Sequence, residues 1–368
     1  MKRRNHFTTA IFFLLLFGVI IGSGVILKLT ATVCLPVVVA ALLSFVFLPL
    51  IKRLNAPPLR LPWWLAIILV LVLFFAVFVI AANILTTSLY RIVMALPRYE
   101  ERFTTIFALV ADKLSIPFDT EQTLIQNLWS HLSFRNTVSK YALGLGGTLY
   151  DFLRNLFLVM LFAIFLLGEM NFTTSKIDIA FSPKTSTKVR RMLGNIVSQV
   201  TRYISIKFII SLATGVLVWL GLTIVRQDFA LVWGFFAFVM NFIPTFGSIF
   251  SWALTTLFAV LQFYPAPAPI AFAAIWLLLI NFVLGNIVEP RIEGQNLGIS
   301  PFIILVSLSL WGWMWGFVGM IIAVPIMVII KIVCVNFSFL HPIAIFLGNR
   351  PQDTQRDFTA EDDGSEAR

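Results

Sequence analysis

The run NIVEPRIEGQNLGISP, Asn286 to Pro301, carries all the charge in an apolar stretch of about a hundred residues, Phe229 to Ile330. From Phe229 to Val288 there is no Asp, Glu, Lys or Arg, and from Gly294 to Ile330 there is none either. Between the two blocks sit Glu289, Arg291 and Glu293, beside Pro290 and ahead of Gly294 and Gly298. A carboxylate and a guanidinium can form a charge-assisted hydrogen bond. Inside a membrane an ionised carboxylate needs such a partner, because burying it alone is costly. Glu289 and Arg291 therefore suit a gate or latch that holds a hairpin against its neighbours, or the lining of a solute path. The plainer alternative is a loop that marks where the chain leaves the membrane. Pro290 should push Glu289 out of helical geometry and end the preceding helix. The glycines then let the chain turn back.

A second group of residues offers hydrogen bonds rather than charge. NFIPTFGS, Asn241 to Ser248, holds Asn241, Thr245 and Ser248 around Pro244 and Gly247. Asn281 and Asn286 follow in the next apolar run. Amide and hydroxyl side chains are what a neutral, polyhydroxylated solute needs. A cation/proton antiporter instead wants an intramembrane carboxylate. Glu289 fits that role, and Asp151 and Glu169 fit less well. No Asp-Asp pair lies mid-span, which counts against antiport. Catalytic chemistry is not indicated. His6, His131 and His341 are scattered, and no HExxH, GxSxG or phosphate-binding glycine loop occurs. Cys34 and Cys334 lie in apolar runs without metal-ligand spacing. No enzyme, metal site or cofactor is expected. With no ATPase domain, pumping would draw on an ion gradient or the solute's own gradient.

These residues must be positioned by membrane helices. Of 368 residues 59% are hydrophobic and only 12% charged, against about a quarter charged in soluble domains. Such a chain belongs in a bilayer as an all-α polytopic protein. The net charge of +10 sits beside apolar segments, which fits topology and anionic lipid better than nucleic acid. Spans are expected at Phe7–Leu27 (uncleaved, being too long for a signal core), Leu29–Ile51, Pro62 to about Tyr90, Tyr141–Gly168, Phe208–Val225 and Pro269–Val288. The first two should form a tight hairpin at Lys28.

Two further blocks read as broken or re-entrant hairpins. Phe229–Phe263 is interrupted at Asn241–Ser248, and Ile299–Ile330 at WGWMWG, where Gly312 and Gly316 are candidate hinges with Pro290, Gly294 and Gly298. Broken helices survive in lipid only where protein or a cavity covers them, and paired ones point to a transporter's binding region. The total is about seven or eight membrane segments.

The domain organisation follows. Residues 1–90 form a three-span unit. Residues 91–140 form an extracytoplasmic insertion with an amphipathic stretch, DTEQTLIQNLWSHL. Residues 141–340 form the core, with a basic cytoplasmic segment at 169–207, and 341–368 a disordered cytoplasmic tail. Lys and Arg in the short loops put KRR, KRLNAPPLR and 169–207 in the cytoplasm. Both termini are then cytoplasmic, and the charged motif lies at or near that face.

FALVWGFFAFVMNFIPTFGSIF and NFVLGNIVEPRIEGQNLGISPFIILVSLSLWGWMWGFVGMIIAVPIMVIIKI resemble the signature half of the autoinducer-2 exporter (AI-2E) family of bacterial membrane proteins, also called the PerM-like permeases. The branch that transports a quorum-sensing signal is the most similar. The resemblance implies a multi-span inner-membrane permease that exports a small polar signal, or in other members exchanges sodium for protons. The matching positions are Asn241, Pro244, Gly247, Ser248, Asn286, Glu289, Pro290, Arg291, Gly294 and Gly298. Partners would be a small polar solute, a coupling cation or proton, the lipid bilayer and further copies of the chain. An oligomeric scaffold without transport is the remaining alternative.

Overall fold

The computed structural model describes residues 18–19, 21–113, 134–293 and 298–349. Seven helices among them are long and apolar enough to cross a membrane, and the chain is an all-α polytopic membrane protein. In chain order the helices are α1 (Ala31–Asn55), α2 (Trp63–Lys113), α3 (Phe134–Ala180), α4 (Pro183–Ile224), α5 (Ala230–Met240), α6 (Phe246–Phe263) and α7 (Pro267–Phe282). A π-helix, Val283–Val288, continues α7 into α8 (Glu289–Glu293); α9 (Pro301–Asn336) and α10 (His341–Leu347) complete the order. Large apolar side chains such as Leu254, Leu257 and Phe302 stay exposed, because lipid is as apolar as a protein core.

Several boundaries differ from the sequence reading. Residues 21–29 are helical, and the tight hairpin expected at Lys28 does not form: Thr30 N donates to Ile26 O and Cys34 N to Thr30 O, each at 2.9 Å, so helical bonding continues into α1 with only Thr30 interrupting it. Most of the expected span Phe7–Leu27 lies outside the described residues, as do the amphipathic stretch 119–132, Gly294 and everything beyond Asn349. Helix α2 runs unbroken past Tyr90 to Lys113. At 1.5 Å per residue its 51 residues span about 77 Å, over twice the ~30 Å hydrocarbon core. The basic segment 169–207 is not a loop but the facing ends of α3 and α4, with Pro183 opening α4, a position that suits its fixed φ and missing N–H. Ser186 and Arg190 both donate to Asp178 across this turn. The tail expected to be disordered from residue 341 begins instead with α10. HPIAIFL is apolar enough to bury Ala344 and Leu347. The main chain beside them pairs, with Ser300 N donating to Leu347 O at 2.9 Å and Asn349 N to Gly298 O at 3.0 Å.

The chain divides into two units, each assembled from separate stretches: Met1–Ile67, Leu156–Tyr203 and Gln295–Arg368 in one, Ile68–Asn155 and Ile204–Gly294 in the other. In the first unit α9 doubles back on itself where the sequence suggested a break. Trp315 and Gly316 leave helical geometry, Gly316 with φ 62° and ψ −144°, a conformation open essentially to glycine alone. Ser307 Oγ reaches the carbonyl of Ala323 at 3.4 Å; in a straight helix those residues would lie about 24 Å apart. At the tip, Trp315 Nε1 donates to Leu27 O at 3.1 Å, and Lys28 Nζ sits 3.5 Å over the Trp313 ring.

The second unit is built on α4, α5, α6 and α7, whose core contains Val218, Leu222, Ala237, Ala259, Ala273, Leu277 and Ile280. Helices α4 and α5 touch backbone to backbone, since a Cβ on Gly215 would lie 2.8 Å from Gly234 O. At one end of this unit, Tyr99 OH donates to Asp228 Oδ2 at 2.5 Å, and the Arg98 guanidinium stands 3.9 Å from the same carboxylate. Asp228 N donates to Gln262 Oε1 at 2.7 Å, Gln262 Nε2 to Arg226 O at 3.1 Å, and Arg102 to Gln262 O. This knot ties the extension of α2 to the α4–α5 loop and the end of α6.

Candidate functional site

The other end of the second unit holds an ion pair. Lys207 Nζ lies 2.7 Å from Glu289 Oε1, with side-chain exposures of 7% and 19%. Lys207 belongs to α4, 17 residues before its end at Ile224. Glu289 falls inside the candidate span Pro267–Ile292. Both charges are thus on membrane-spanning helices, each the other's compensation.

Pro290 explains the local geometry. The expected helix end at Glu289 does not occur: φ −55° and ψ −52° keep Glu289 helical, and α8 runs through Pro290. A proline in an α-helix lacks one N–H and clashes with the carbonyl four residues back, here Asn286. The chain answers by widening. Glu289 N bonds Leu284 O, five residues back, within the π-helix Val283–Val288. Such π-bulges occur often at functional sites. Because the helix continues, Glu289 and Arg291 point apart, as residues two positions apart on a helix do. Arg291 is exposed, and the expected pairing of Glu289 with Arg291 gives way to pairing with Lys207.

One turn along α4 from Lys207, Ser211 accepts a hydrogen bond from Asn241 Nδ2 at 3.0 Å. Ser248 Oγ donates to Asn241 Oδ1 at 3.2 Å. Asn241 is buried at the end of α5, its N–H bonded to Ala237 O. The turn that carries it is tight. Thr245 adopts φ 64°, and a Cβ on Gly247 would lie 1.7 Å from Met240 O. Only glycine lets α6 start this close to the end of α5.

The expected residues therefore separate. Asn241, Ser248 and Glu289 converge on one face of α4, with Pro244 and Gly247 shaping the turn. Thr245, Asn286, Pro290 and Arg291 are exposed and Asn281 is half-buried; none joins these hydrogen bonds. Gly298 (φ 63°), Gly312 and Gly316 lie in the other unit. Gly312 sits against Met320, 2.9 Å from where its Cβ would be. Lys207 and Ser211 were missed. Their signal is present: Lys207, Ser211 and Thr214 follow at helical spacing on one face of an otherwise apolar run.

The family model for AI-2E family transporters matches residues 8–338. A putative transport protein of Haemophilus influenzae is 31% identical over 338 residues, covering 90% of this chain and 94% of its own. The AI-2 transport protein TqsA of Escherichia coli is 29% identical over 339 residues, covering 90% and 93%. A putative transport protein of Borreliella burgdorferi is 41% identical over 197 residues, a match that spans 54% of each chain.

Proposed function

The chain belongs to the AI-2E transporter family, and from that premise we propose that it exports a small, polar, hydroxylated signal or metabolite, such as autoinducer-2, across the bacterial inner membrane. The observation that carries this reading is the polar row Glu289, Lys207, Ser211, Asn241 and Ser248 within otherwise apolar spans. Polar groups at membrane depth are costly and mark solute or ion pathways. This row carries amide and hydroxyl groups for a neutral solute and a self-compensated ion pair at one end. The name of the Escherichia coli relative, an AI-2 transport protein, agrees with that chemistry. The basic ends of α3 and α4 face the cytoplasm in this reading, as do both termini, and the Tyr99–Asp228 knot faces outward.

Efflux of autoinducer-2 from proteoliposomes tests the proposal. Asn241→Ala should cut the initial rate about tenfold, equivalent to about 1.4 kcal/mol of lost interaction. Efflux that matches the parent's would remove Asn241 from the path. A second reading, cation/proton exchange, draws support from the same ion pair, because a proton or Na⁺ could displace Lys207 from Glu289. Glu289→Gln should then abolish pH-dependent sodium flux; unchanged flux removes Glu289 as the carrier.

A further inference from the structure

The second unit contains another buried polar group, distinct from the ion pair. Gln227 follows α4 and is 4% exposed. Its Nε2 donates at 3.4 Å to the carbonyl of Thr255, while Oε1 of the same amide has no partner. Thr255 is 0% exposed, and Ser251, one turn earlier on α6, 3%; neither hydroxyl has a partner among the described residues. Trp233 Nε1 is buried without one as well. Its ring lies 5.1 Å from that of Phe258, one turn from Thr255.

The bland explanation is a packing seam. Gly247, Ser251, Thr255 and Ala259 are the buried residues of α6, and small residues four apart let helices approach in lipid. Two observations argue for more. Hydroxyls in a dry membrane helix usually bond back to the preceding turn, as Thr214 does to Ile210 O and Thr223 to Trp219 O on α4. Ser251 and Thr255 do not. Moreover, a long amide is brought onto the seam with its acceptor unused, beside an unused hydroxyl. Orphaned polar groups carry a desolvation penalty that a hydrogen-bonding guest removes. The group includes both kinds of partner: hydroxyls and an indole N–H to donate, an amide oxygen to accept, and no charge.

Its place matters. Helix α4 rises about 26 Å from Lys207 to Ile224, close to the ~30 Å hydrocarbon thickness, and Gln227 lies just beyond. Ser248 of the first group is one turn before Ser251 on α6. We propose that Gln227, Trp233, Ser251 and Thr255 form a second, uncharged binding station for a neutral hydroxylated small molecule, next along the path that starts at Lys207 and Glu289 and on the side of Ser248 away from them. The assignment rests on the solute-path reading above.

The test uses the full chain in proteoliposomes with Cys34 and Cys334 replaced by alanine. Single cysteines are placed by S248C, S251C, T255C and, at a lipid-facing control position, L257C. The probes are Ag⁺, which is close to water in size, and glycerol as a small neutral polyol. S251C and T255C should react with Ag⁺ about tenfold faster than L257C, as water-reachable thiols do, and glycerol should slow them about threefold. Gln227→Leu, which leaves both thiols in place, should remove the glycerol protection. Reactive S248C with inert S251C and T255C would overturn the station and leave the path standing. Inert S248C as well would overturn both. Fast labelling with no glycerol protection would reduce the group to bound water and overturn the solute assignment.

Discussion

At the residue scale, the pair Lys207–Glu289 sets what a single substitution does. Each side chain is nearly enclosed, so removing one leaves an uncompensated charge at membrane depth. Breaking a buried pair from one side costs about 3–5 kcal/mol, whereas exchanging both partners for apolar residues of similar volume is often close to neutral. Lys207→Met and Glu289→Leu should each lower the unfolding midpoint in detergent, and the two together should lower it less than K207M alone. Strict additivity in that cycle would mean the two groups are not coupled. Stability and transport should also part here. The double variant keeps its fold but loses the charged end of the path.

At the element scale, the wide turn before Glu289 and the tight turn after Asn241 place the side chains that α4 receives. Pro290 forces the π-helix, so Pro290→Ala should let the helix close and carry Glu289 away from Lys207. P290A is expected to be non-additive with K207M in thermal unfolding, because both act on one contact. Additive losses would show that Pro290 does not position Glu289. At the other turn, Gly247→Ala must bring a methyl group against Met240 O, 1.7 Å away. Backbone cannot yield as a side chain can, so the loss belongs with the severe class of overpacking changes, about 3 kcal/mol or more. The readout is monodisperse yield on size exclusion, with Ser248→Ala as the mild neighbour.

At the scale of the whole molecule, the knot at the far end of the second unit gives a pH dependence. Tyr99 lies beyond the candidate span ending at Ile92. Burial, together with the hydrogen bond and negative charge of Asp228, holds its phenol well above the ordinary value. A raised folded-state pKa means that its contribution is complete below the unfolded value, about 10, and is lost as pH rises through and above it. Unfolding midpoints should therefore fall above about pH 10, and Tyr99→Phe should flatten that fall. Ultraviolet difference spectra at alkaline pH should show one more tyrosine resisting ionisation in the parent than in the variant. Sidedness belongs to this scale too. A cysteine at Tyr264 should label from outside the cell and one at Arg60 only after permeabilisation; the reverse pattern would invert the proposed orientation.

The sequence by itself determined the solvent, the helical class and the interruptions of the two long apolar blocks. Lipid demands apolar runs of fixed length and a self-satisfied backbone, so Asn241–Ser248 and Gly312–Gly316 could be read as interruptions without a structure. It also supplied the chemistry of Asn241, Ser248 and Glu289, because polar residues stand out in an apolar run. Only the tertiary structure decided who meets whom. Glu289 finds its counter-ion 82 positions away at Lys207, not at neighbouring Arg291, because the helix survives Pro290 by widening and turns the two side chains apart. Local spacing carries no information about which helix packs on which, and in this unit α4 receives the charge from one partner and the amide from another.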